Sequence, residues 1–165
     1  MLKTVLISAL LFPGLALVAA SPAKVSVDPE LSTAPRPLEP QTEQAAVRDY
    51  IQSWQAMQSG FDQNRPDLLN ADFVGGAMNK LAGTIKQQAV LGLRTHYQDL
   101  SHKIQFLFYS PEGLSIEFTD EVEFDLQVFD HGHLVATHHE TARYLVMMSP
   151  SEVRWRVRVF QALQG

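Results

Sequence analysis

The 165-residue sequence predicts an α+β fold, with N-terminal helices packed in the concave face of a strongly curved antiparallel sheet. Three observations predict it. The apolar period changes once, from 3.6 to 2, near Lys103. The alternating half is interrupted only by short turns, which join antiparallel neighbours. One long alternation runs from Leu114 to Val128, with Asp120 alone breaking its apolar set. Strands this long must bend, and a bent sheet encloses a cone whose mouth the helices close.

The N-terminus reads as an export signal. Lys3 gives a positive start, and an apolar run follows from Val5 to Ala20, interrupted by Pro13 and Gly14. That run is short for a bilayer span, so cleavage is expected rather than a stable membrane span. Val18 and Ala20 suit a cut after Ala20, and Ala23 offers a later one. Residues 1–20 are thus a predicted signal peptide, and the mature protein is expected to be periplasmic or secreted. Residues 21–41 carry Pro22, Pro29, Pro35, Pro37 and Pro40, which prevent a helix and disfavour a ladder. They are expected to form a flexible spacer before a domain spanning 42–165.

Within that domain Val47, Tyr50, Ile51, Trp54 and Phe61 recur at helical spacing, predicting a helix from Thr42 to Ser59 stopped by Gly60. Pro66 is placed to start a short second helix with Leu68 and Leu69. Gly75-Gly76 breaks the chain. Thr84 and Gln87 have capping-box spacing, and Ile85, Ala89, Leu93, Tyr97 and Leu100 then form the stripe of an expected third helix. Ile104, Phe106 and Phe108 alternate in a strand, and Ser110-Pro111-Glu112-Gly113 is a turn. The next strand alternates through Leu114, Ile116, Phe118, Asp120, Val122, Phe124, Leu126 and Val128. Asp130-His131-Gly132 reads as a three-residue hairpin loop. That loop pairs Phe129 with His133, Leu126 with Ala136, Phe124 with His138, Val122 with Glu140 and Asp120 with Ala142. Tyr144, Val146 and Met148 continue the face. Ser149-Pro150-Ser151 then turns into a last strand carrying Val153, Trp155, Val157 and Val159.

Composition excludes several classes of function. With no cysteine there is no disulfide, thiolate metal site or cysteine nucleophile. Thirteen Lys and Arg against 18 Asp and Glu give a net charge of −5, without the positive field that drives nucleic-acid binding. No phosphate-binding glycine motif or Ser-His-Asp spacing is present, so no cofactor is expected.

The helix Ala46-Val47-Arg48-Asp49-Tyr50-Ile51-Gln52-Ser53-Trp54, a glycine, a Leu-Leu helix and then Ala71-Asp72-Phe73-Val74 resemble the nuclear transport factor 2-like superfamily. The ending Val153-Arg154-Trp155-Arg156-Val157 resembles its closing strand. The likeness covers residues 42–165 and implies the cone-shaped, cystatin-like or SnoaL-like fold. That superfamily includes ketosteroid isomerases, polyketide cyclases, dehydratases, epoxide hydrolases and many non-catalytic binding domains, so fold alone does not select an activity. In isomerase-like members a tyrosine of the opening helix donates to an oxyanion, and Tyr50 occupies a similar place. Phe73-Val74-Gly75-Gly76 stands where a catalytic carboxylate is expected, with Asp72 the nearby acid. The resemblance would put a second acid at Glu140 only with a shifted register, and Ala142 fits that place as well.

The residues themselves point to one polar set on the apolar inner face: Asp120, His138 and Glu140. Neighbours on one sheet face are within side-chain reach. Paired carboxylates raise a pKa, and a histidine passes a proton. With Tyr50 as donor these four form a candidate acid–base site, and the structural alternative is that they merely satisfy one another. Tyr50, Trp54, Phe73, Tyr97 and Tyr144 are candidate lining for a hydrophobic small molecule, or simply an aromatic core. His131, His133, His138 and His139 share one hairpin, but an exposed turn and alternating faces deny them convergence, and no metal site is expected. Glu121, Glu123 and Asp125 face outward, as do Arg154, Arg156 and Arg158. Leu145, Met147 and Phe160 are expected on the same outer face, where apolar residues predict a homodimer. Three functions follow: an exported ligand-binding or interaction domain, a cofactor-independent isomerase, cyclase or dehydratase, and a structural subunit of an envelope assembly.

Overall fold

The computed structural model describes residues 21–28 and 34–164. The expected signal peptide lies outside them. Among the described residues six strands form one sheet: β1 Lys24–Val27, β2 Ala34–Pro35, β3 Leu93–Tyr109, β4 Ile116–Asp130, β5 His133–Pro150 and β6 Trp155–Leu163. Their order is β1-β3-β4-β5-β6, with β2 also paired to β3. Helices α1 (Pro40–Gln63) and α2 (Gly75–Val90), with a short 3-10 turn at Pro66–Leu69, close the concave face. This is the α+β cone that the sequence predicts.

α1 buries Ala46, Asp49, Tyr50, Ser53, Trp54, Met57, Gly60 and Phe61, a stripe at helical spacing that lies on the sheet. It runs past Gly60 and ends at Asn64, whose left-handed backbone caps it. Gly60 has a packing role instead: a Cβ there would meet Ile85 Cδ1 at 3.1 Å and the Arg65 carbonyl at 3.3 Å. The concave face of β4 is even-numbered as expected, with Ile116, Phe118, Asp120, Val122 and Phe124 all buried.

Several expectations are corrected. Part of the stretch expected as a flexible spacer is built into the sheet. Lys24–Val27 pairs in parallel with Ser101–Ile104, and Ala34–Pro35 with Phe108–Tyr109. Pro22 precedes β1 rather than interrupting it, and at a sheet edge a missing donor costs little. The third helix ends at Val90, and Leu93, Tyr97 and Leu100 belong to β3. Gly92, at φ +72°, breaks the helical stripe. Thr84 caps nothing and bonds back to the Lys80 carbonyl one turn earlier, inside α2.

The β4–β5 hairpin loop has two residues, His131 and Gly132, both at positive φ. An irregularity beside Val128 then leaves Val135 without a partner in the register. Loop and bulge together slide the expected register by two positions, so Asp120 faces Tyr144 and Phe124 faces Glu140. An even slide keeps each side chain on its predicted face. A further irregularity between Met147 and Met148 turns Phe160 inward, where it stacks on Tyr144 with centroids 4.4 Å apart. Phe160 therefore leaves the expected outer patch. Arg154 and Arg156 reach back to the 70–73 loop, pairing with the Asp72 carboxylate and the Asn70 and Phe73 carbonyls.

Candidate functional site

Asp120 has no solvent exposure and is the centre of a buried polar chain. Tyr50, one helical turn before Trp54 on α1, donates its hydroxyl to Asp120 Oδ2 at 2.8 Å. His102 Nδ1 lies 2.7 Å from the same oxygen. On the other side of the ring, His102 Nε2 is 3.0 Å from Asp99 Oδ2, and Gln58 Nε2 donates to Asp99 Oδ1 at 2.5 Å. Both ring nitrogens face carboxylates, which suits an imidazolium that donates twice.

Burial works against charge on His102, but hydrogen bonds with Asp120 and Asp99, and their charges, outweigh it and push the pKa up to about 9. Burial likewise opposes ionisation of Asp99, yet His102 and Gln58 hold its pKa below the usual value. Burial first, then the Asp120 charge, drives the Tyr50 hydroxyl well above its ordinary range. Two buried polar atoms of this region have no hydrogen-bond partner among the described residues: Asp120 Oδ1 and Trp54 Nε1.

Of the four predicted acid–base residues, the structure brings together Tyr50 and Asp120 only. His138 and Glu140 are exposed on the part of β5 that extends beyond β6. His102 and Asp99 are the partners that sequence reasoning missed. Strict alternation would put residues 99 and 102 on opposite faces. The register steps from Asp99↔Phe124 to Ser101↔Glu123, leaving Leu100 as an extra residue. That bulge aims both side chains into the cone.

Beside this chain, a cleft of about 180 Å³ opens between the helices and the sheet. Trp54, Met57 and Phe61 of α1, Leu81 and Thr84 of α2, and Tyr97, Tyr144, Phe160 and Ala162 of the sheet form its wall, with Lys80 completing it. Trp54 packs edge-on against His102, with centroids at 5.1 Å, and also walls the cleft, so the indole lies between the two. Of the predicted aromatic lining, Trp54, Tyr97 and Tyr144 are present. Tyr50 and Phe73 are core residues, buried at 0% and 2% exposure. Burial, with Tyr97 and Asp120 nearby, pushes the Tyr144 hydroxyl up to about 12. Among the described residues no three His, Asp or Glu side chains converge as a metal ion needs, and no helix is long and apolar enough to cross a membrane.

No protein-family model and no curated protein matches the sequence. Solved structures do. The intermembrane-space region of the chloroplast protein ARC6 superposes with a TM-score of 0.65 at 17% identity, over 79% of this chain and all of that one. A candidate scytalone dehydratase from Novosphingobium aromaticivorans gives a TM-score of 0.52 at 13% identity, over 76% of this chain and 89% of that one. A candidate dehydratase of the NTF2-like family from Streptomyces avermitilis gives 0.47 at 8% identity, over 74% and 99%. The fold is therefore nuclear transport factor 2-like. At these identities the likeness is one of fold.

Proposed function

We propose that this chain is an exported binding domain of the nuclear transport factor 2-like fold, whose apolar cleft holds one ring-sized or branched apolar group of a ligand or partner. The observation that carries this reading is the separation of chemistry from cavity. The inner members of the titratable cluster are sealed, with Tyr50 and Asp120 at 0% and His102 at 1% exposure, while Asp99 at its end is half-buried. The cleft beside it is walled by aromatic and aliphatic side chains. Its size favours one group over a whole metabolite, since drug-sized ligands occupy roughly 300–1,000 Å³. The apolar run from Val5 to Ala20 supports export. ARC6 supplies an example of this fold in an intermembrane space.

The test is titration of the protein with p-cresol, followed by NMR at Tyr97, Tyr144 and Phe160. Shifts confined to the cleft are expected, and Ala162→Trp, which fills it from the exposed end of β6, should abolish them. Shifts that survive Ala162→Trp, or none at all, refute the reading.

A second reading, acid–base catalysis by Asp120 and His102 with Tyr50, draws on the unpartnered Asp120 Oδ1 and on the candidate dehydratase of the same fold. It requires Trp54 to swing aside. Diethyl pyrocarbonate distinguishes the two: a catalytic His102 reacts in the native protein, whereas a sealed one is protected while His138 is modified.

A further inference from the structure

Next to the apolar cleft runs a second depression, a groove of about 350 Å³ between the N-terminal half of α2 and strand β6. Gly76, Ala77 and Lys80 form one bank, and Arg158 to Ala162 the other. Lys80, Phe160 and Ala162 belong to both depressions, so the cleft opens from the groove. Two further features meet here. β6 is the last strand of the sheet. Its outer edge is covered near its start, where Val157 exchanges backbone hydrogen bonds with Asp72 and Val74. Among the described residues no strand pairs with that edge beyond Val157. The second feature is charge. The chain has 18 acidic residues against 13 basic ones, yet among the described residues no Asp or Glu lines either depression, while Lys80 and Arg158 do. Both cations are exposed.

We propose that this groove binds an extended, acidic segment of a partner protein, which adds to β6 as a further strand and seats one large apolar side chain in the cleft. The proposal rests on the reading of the cleft as a binding site and names its occupant. Each part of the groove answers one part of such a segment. The free edge of β6 offers backbone donors and acceptors, the usual source of affinity in strand addition. Side chains of an added strand alternate, so the residue on the concave side points where Phe160 and Ala162 point, toward the cleft. Lys80 and Arg158 flank that position and select carboxylates over cations. A cleft of this volume suits one anchoring side chain, as partner surfaces commonly use.

Two fluorescein-labelled nine-residue peptides provide the probe: Glu-Val-Asp-Thr-Phe-Thr-Asp-Val-Glu, and the same peptide with lysine in place of every acid. Fluorescence polarisation with the purified protein should show the acidic peptide binding about tenfold or more tightly than the basic one. The double variant Lys80→Glu with Arg158→Glu should reverse that order. Both positions are exposed, so folding is preserved, and circular dichroism verifies it. Replacing the central phenylalanine of the acidic peptide by alanine should weaken binding. Equal affinity for both peptides, binding of neither, an order unchanged in the double variant, or indifference to the phenylalanine overturns the proposal. If p-cresol still binds in the cleft while the peptides fail, the occupant is wrong and the cleft reading stands. If p-cresol fails and the peptides bind only through charge, the cleft reading falls with it.

Discussion

His102 should make the stability of this protein depend on pH across a range where most side chains do not titrate. Its pKa rises from 6.5 to about 9 in the folded chain, because Asp120 and Asp99 hold its two ring nitrogens. A raised pKa means the folded state binds the proton more tightly than the unfolded chain. The stabilisation is therefore fully present below pH 6.5 and disappears as pH climbs through about 9. At about 1.4 kcal/mol per pH unit, that interval corresponds to about 3 kcal/mol. This is a large share of the ~5–15 kcal/mol typical of a domain. Urea unfolding at half-unit intervals from pH 6 to 9.5 measures it directly. His102→Gln removes the titrating ring and should flatten the curve. His139, exposed between Asp125 and Glu123, is also raised. His139→Gln separates its contribution, which salt should screen. A wild-type curve that is level from pH 6.5 to 9, or a His102→Gln curve with the wild-type slope, refutes the assignment of a charged His102.

Two other substitutions test the frame around this residue. Tyr50→Phe keeps the edge contact with Phe118 but removes the hydroxyl that donates to Asp120. With Asp120 Oδ1 already unpartnered, the loss should cost about 1–3 kcal/mol in urea unfolding, and a neutral result would mean the bond contributes nothing. Gly92→Ala should cost about 1–3 kcal/mol and lower the melting temperature. Its φ of +72° disfavours a side chain, and the new Cβ would fall 2.5 Å from His131 Nε2. An unchanged melting temperature would show that the turn relaxes freely.

The parts of the site that were legible in the sequence are those where a residue breaks an otherwise regular pattern. Asp120 interrupts an apolar alternation, and the structure buries it on the predicted face. Tyr50 sits on the buried stripe of a helix whose spacing is plain, and its hydroxyl needs a partner. Even the wrong hairpin loop did little harm to that face, because the shorter turn and the extra residue at Val135 sum to an even slide. What stayed hidden are the places where an inserted residue changes the pattern itself. The bulge near Met148 moved Phe160 from the predicted outer face to the concave one, where it is half-buried. The stripe from Ile85 through Tyr97 keeps helical spacing across Gly92, so only the left-handed backbone there reveals the change to strand.

The bulge at Leu100 matters most for the chemistry. Without it, a continuous alternation that keeps His102 facing inward would turn Asp99 to the convex surface, and His102 would retain Asp120 as its one carboxylate partner. With it, the ring lies between two acids in the closed interior, and the second of these is itself held by Gln58 of α1. A single extra residue thus converts a buried hydrogen bond into a charged bridge that ties β3 and β4 to α1. Trp54, packed on His102 and walling the cleft, rests on that bridge. The shape of the cleft therefore depends on a polar network that lies behind its Trp54 wall.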